Sequence, residues 1–134
     1  MNYRELFQSV RSRPILHGLD GTYRAGVAFI LGCDVGTSGI LLSGFREWLI
    51  VRLGDGNNLS WTGLVQKIID AEHVGQGEEE SPKSDTDAQR FDWLFQLLDE
   101  FLDQREKRDG MIRIYGRYIE WLKEQSWFRQ EMLD

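Results

Sequence analysis

Apolar residues recur at spacings of three and four through most of the chain, and that period predicts helices. Tyr3, Leu6, Phe7 and Val10 share one face of a first helix over residues 3–11, with Asn2 as its N-cap. Arg13-Pro14 ends it, because the residue before a proline is pushed out of the helical region. Gly18 and Gly21 mark a turn. The run Val27-Ala28-Phe29-Ile30-Leu31 suits a buried strand or a buried helix, which periodicity alone does not separate. The length of residues 23–33 and a capping Thr22 favour helix.

Residues 34–39 read as a glycine-rich turn, and residues 40–53 as a helix with Leu41, Phe45, Trp48, Leu49 and Arg52 on one side. A loop over residues 54–58 leads to a helix capped by Ser60, with the stripe Trp61, Leu64, Val65, Ile68 and Ile69. The clearest period follows: Asp87 as cap, then Phe91, Leu94, Phe95, Leu98, Phe101 and Leu102. Arg105 to Arg108 place positive charge at its C-terminal end, where the helix dipole favours it. After the break at Asp109-Gly110, a last helix carries Ile112, Tyr115, Ile119 and Leu122, with Ile114, Tyr118 and Trp121 adjoining. Trp127 and Phe128 are expected to dock on the core. The pattern predicts an all-α, compact single-domain bundle of five or six helices spanning residues 1–134.

Between the helices, residues 73–86 carry two glycines, one proline, three consecutive glutamates and almost no apolar side chains. They read as one long, mobile, acidic loop. The charge is uneven. Residues 1–71 hold seven basic and six acidic side chains; residues 72–134 hold nine basic and sixteen acidic, towards a net −6. Such a surface repels nucleic-acid phosphates and attracts a basic protein. No apolar run approaches the length of a membrane span, and the polar opening Met1–Glu5 is unlike a signal peptide. Cys33 is the only cysteine, which points to a reducing, cytoplasmic setting.

Candidate chemistry is sparse. Leu31-Gly32-Cys33-Asp34-Val35-Gly36-Thr37-Ser38-Gly39 looks like the first phosphate loop of sugar kinases and other actin-like ATPases. In those enzymes a strand leads into the loop, and the turn's N–H and hydroxyl groups face the phosphates. On that reading Asp34, Thr37 and Ser38 would bind a nucleotide. The helical period after the loop, and the absence of a second phosphate loop, argue for a chance match. His17, His73 and Cys33 have no metal-ligand spacing, so neither metal nor cofactor is expected. Two further polar features, Arg46-Glu47 inside an apolar helix and Asn57-Asn58 before Leu59-Ser60-Trp61, suit a fixed turn between two helices.

The series Arg13-Pro14, Gly18, Phe29-Ile30-Leu31-Gly32, Gly44-Phe45-Arg46-Glu47-Trp48-Leu49 and Asn57-Asn58-Leu59-Ser60-Trp61 resembles small bacterial immunity-like proteins of polymorphic or contact-dependent toxin systems. The likeness covers about the first half of the chain. It implies a non-enzymatic protein that neutralises a toxin by occlusion, with no catalytic residue. Charge then nominates Glu78, Glu79, Glu80, Asp99 and Asp103 as contacts for a basic partner, with exposed Trp93 and Trp127 as anchors. The competing readings are a nucleotide-binding enzyme using the Asp34–Ser38 turn and a self-associating structural subunit.

Overall fold

A computed structural model describes residues 1–73 and 86–133. Among them the chain forms six α-helices: α1 (Tyr3–Ser12), α2 (Tyr23–Gly36), α3 (Phe45–Leu53), α4 (Trp61–His73), α5 (Asp87–Glu106) and α6 (Gly110–Lys123). Two 3₁₀ turns, Pro14–His17 and Gln130–Leu133, complete them, and no strand occurs among the described residues. The expected all-α bundle is what forms, and residues 23–33 are helical. Residues 74–85 of the expected acidic loop, with Glu78, Glu79 and Glu80, lie outside the described residues.

The arrangement follows from α5, which packs against each of the other five helices. Seven of its residues are buried: the six of the expected stripe and Leu97. One cluster joins them to Phe7 and Val10 of α1, Tyr23 and Ile30 of α2, Phe45 and Leu49 of α3, Leu64 and Ile68 of α4, and Ile114 of α6. Burial of this apolar surface is the main force that closes the bundle. Gly26 gives α2 its close seat on α5, since a Cβ there would lie 3.0 Å from Phe91 and 3.1 Å from Phe95.

Polar pairs set the register of α1 on α5. Arg4 donates to Asp99 through Nε at 3.0 Å and Nη2 at 3.2 Å, while Arg11 donates to Asp92 at 2.6 and 2.9 Å. Each helix spends seven residues, about two turns, between its two charges. The order reverses between the helices, so they run antiparallel.

Several boundaries differ from the sequence expectation. α2 continues to Gly36, which places Asp34 in its last turn, and α3 starts at Phe45 rather than residue 40. The cause is local. Asp34 Oδ1 accepts the Leu42 N–H at 2.9 Å, and Thr37 Oγ1 accepts that of Leu41 at 2.9 Å. These bonds hold residues 40–44 as turns until Gly44, at φ 91°, starts the next helix. Asp87 does not cap α5. Thr86 does, in a capping box with Gln89, and Asp87 instead accepts the Tyr23 N–H of α2 at 2.8 Å. Ser60 serves α4 as expected, accepting the Gly63 N–H at 3.4 Å.

The last helix shows the largest change. Of the stripe Ile112, Tyr115, Ile119 and Leu122, the first three are 71%, 36% and 37% exposed; Leu122 and the adjoining Ile114 are buried, and Tyr118 and Trp121 pack against the core. Gly110 accounts for this rotation. A Cβ there would collide with the Gln104 and Arg105 carbonyl oxygens, so α6 begins pressed onto the end of α5. Ile114, one turn on, is thereby aimed inward.

Candidate protein-binding surface

The outward side of α6 is divided by helical geometry into two flanks. At 3.6 residues per turn, Ile112, Tyr115 and Ile119 line one flank, and Arg113 and Arg117 the other. Gly116 lies between them, and an added Cβ there meets no atom within 4 Å. A β-carbon-free spot beside exposed isoleucines lets another backbone come close.

The apolar flank continues onto the turn before α3. Ser43 Oγ lies 3.5 Å from the Tyr115 hydroxyl, and Ile40, three residues earlier, is 69% exposed. Arg105 fixes this turn from beneath. Its Nη1 donates to the carbonyls of Ile40, Leu41 and Ser43 at 3.2, 2.6 and 3.0 Å, and its guanidinium lies over the Phe101 ring. Burial pulls its pKa down from the ordinary arginine value, but the group stays charged. An Arg105 expected to serve the α5 dipole thus organises the edge of the exposed patch.

The other end of α6 is tied to the α3–α4 turn. Tyr118 donates to Asn57 Oδ1 at 2.6 Å. Arg46 donates to the Leu59 carbonyl at 2.8 Å and to that of Asn57. Arg46 and Asn57 therefore fix the turn, as their positions suggested. Trp127 stands against Trp121, edge to face at 6.1 Å, and remains 44% exposed. With Asp55, Asn57 and Asn58 it borders a shallow hollow of about 290 Å³.

The residues nominated from charge do not gather into one site. Asp99 and Asp103 are engaged inside the molecule. Arg4 takes Asp99 and Asp103, and reaches Glu106 at 3.4 Å, while Lys107 takes Asp103 at 3.4 Å. The arginine that takes both aspartates comes from α1. Trp93 is half-buried, not an exposed anchor, and stacks on His73 with centroids 4.1 Å apart. Of the nominated anchors, Trp127 alone is well exposed.

Asp34, Thr37 and Ser38 end α2 and form the turn after it, and no strand flanks them. The Asp34 carboxylate and the Thr37 hydroxyl are taken up by Leu42 and Leu41 N–H groups, and Ser38 adopts φ 58°. The groups that would meet a phosphate hold the turn instead. Among the described residues no group of three or more His, Cys, Asp or Glu stands together as metal ligands. No described helix is long and apolar enough to cross a membrane.

Sequence reasoning missed the exposed flank of α6 because both of its apolar stripes have helical spacing. One signal was present: a helix apolar on two sides leaves one of them in water unless its neighbours cover both. Comparison with known proteins finds no matching family model, no matching curated protein and no matching solved structure.

Proposed function

We propose that the chain is a non-enzymatic protein-binding module whose contact surface is the outward side of α6 and the adjoining turn at Ile40. The observation that carries this reading is the apolar flank Ile112, Tyr115 and Ile119, left largely in water on a helix whose other side packs against the core. The ring and two branched side chains give a partner apolar surface to cover. Resemblance of the first half of the chain to immunity-like proteins supports a toxin as that partner, neutralised by occlusion in the cytoplasm. The acidic half of the sequence favours a basic partner, with Glu78–Glu80 quickening encounter.

The test is rescue of growth during co-expression with the toxin-like product of a neighbouring gene, joined to affinity capture of that product. Wild-type chain is expected to bind and rescue. Ile112→Asp/Ile119→Asp, which leaves the core untouched, is expected to do neither. Equal rescue and capture by that variant would place the contact elsewhere. A stable wild-type dimer in light scattering, lost in the variant, would instead assign the same flank to self-association.

A further inference from the structure

Two hollows, of about 300 and 200 Å³, adjoin where α6 crosses the end of α5 beside α3. They share Gln104, Ile114 and Arg117 as walls and form one groove. Every charged side chain lining it is a cation, in a chain whose net charge is −6. Arg4, Arg11, Arg52 and Arg90 each hold a carboxylate. Arg113 and Arg117, one turn apart on α6, hold none among the described residues. Lys107 completes the set, with only a long 3.4 Å contact to Asp103.

The neutral walls add to the effect. Trp48 Nε1 donates to Gln104 Oε1 at 2.9 Å, which fixes the amide and leaves its NH₂ as a donor. Gly110, the first residue of the 14-residue α6, also lines the groove, and Asp109 makes no side-chain cap. The positive end of the helix dipole therefore adds to the field of the cations. Buried Ile114 and Trp48 form an apolar floor, which strengthens charge interactions above it. Two guanidinium forks, an ammonium and an amide offer donors and almost no acceptor.

We propose that this groove binds a small polyanion of the phosphate class, clamped by Arg113 and Arg117 and oriented by the Gln104 amide. Paired guanidiniums match the tetrahedral oxygens of phosphate through parallel N–H···O bonds. The volume suits a phosphate, a pyrophosphate or the phosphate end of a monoester. The inference stands on the basic flank alone and does not depend on the protein-binding reading.

The test is calorimetric titration of the full chain at low ionic strength with pyrophosphate, orthophosphate, phenyl phosphate and citrate. Amide NMR shifts are followed in parallel. Saturable pyrophosphate binding is expected, with shifts at Gly110 and the Gln104 side-chain NH₂. Arg113→Gln/Arg117→Gln is expected to bind at least about 10-fold more weakly, the scale of losing charge-assisted hydrogen bonds. Arg24→Gln/Arg129→Gln, an equal change in net charge on exposed side chains elsewhere, should bind within about two-fold of wild type. Phenyl phosphate binding more tightly than orthophosphate identifies a monoester as the source, and the reverse order identifies the free ion. The proposal is overturned by any of three results: no saturation by about 10 mM pyrophosphate, equal weakening in both double variants, or citrate binding as tightly as pyrophosphate. Because NMR maps the wild-type chain, misfolding of a variant does not remove the test.

Discussion

Arg4 of α1 grips Asp99 of α5 with two hydrogen bonds, from Nε at 3.0 Å and from Nη2 at 3.2 Å. The pair joins residues 95 positions apart and fixes which turn of α1 meets which turn of α5. Both side chains keep a quarter to a third of their surface in water, so screening limits the gain. A double-mutant cycle of Arg4→Met and Asp99→Asn should give a coupling of about 0.5–1 kcal/mol at low salt. Urea unfolding at about 1 M salt should show most of it gone. A coupling unchanged by salt would mean that geometry, not charge, holds the pair.

The acid limb of stability should report two other pairs. Arg11 holds the Asp92 carboxyl below the usual carboxylate range, and Arg52 does the same for Glu72. A carboxylate with a lowered folded pKa binds fewer protons in the folded state. Its contribution is complete above the unfolded value, near about pH 4, and disappears as pH falls through the lower folded value. Arg11→Gln/Arg52→Gln should therefore melt below wild type at neutral pH and converge with it towards about pH 2. A constant gap in Tm across that range would refute the assignment.

Gly110→Ala should be among the costliest small substitutions. Its Cβ would meet the Gln104 and Arg105 carbonyl oxygens, which belong to the backbone and cannot rotate aside. A loss of about 2–4 kcal/mol is expected by chemical denaturation, from overpacking and strain. Gly116→Ala, in open space on the same helix, should be neutral or stabilising by up to about 1 kcal/mol.

Neighbouring isoleucines of α6 should respond in opposite ways. Ile114, 2% exposed, should cost about 2–5 kcal/mol as alanine. Ile112, 71% exposed, should change stability by less than about 0.5 kcal/mol even as aspartate. Comparable losses at both positions would return Ile112 to the core, where its spacing alone had put it.

Arg105→Met keeps the apolar stem over Phe101 and removes the donors to the Ile40, Leu41 and Ser43 carbonyls. A cost of about 1–3 kcal/mol is expected, since part-buried acceptors lose a charged partner. Hydrogen exchange should rise first in residues 40–44. Uniform acceleration through α5 would show that the guanidinium supports the whole bundle, not the turn.

The sequence by itself determined that the chain is helical, where each helix roughly lies, and which faces of α1, α4 and α5 are buried. Those faces carry a single apolar stripe, so burial has one solution. It also held the α1–α5 register in latent form, as Arg4 and Arg11 spaced like Asp92 and Asp99. What only the tertiary structure decided is how side chains far apart in sequence share partners. Asp87 is read locally as the cap of α5, yet it serves α2 because Thr86 already fills the cap. Asp99 and Asp103 are read as contacts for a partner until α1 delivers Arg4. On α6 two apolar stripes had equal claim to the core. Contact between the Gly110 backbone and the end of α5 turned Ile114 inward, and so left Ile112, Tyr115 and Ile119 in water. Periodicity measures the angle between side chains, but the direction of the core is set by the neighbouring helices.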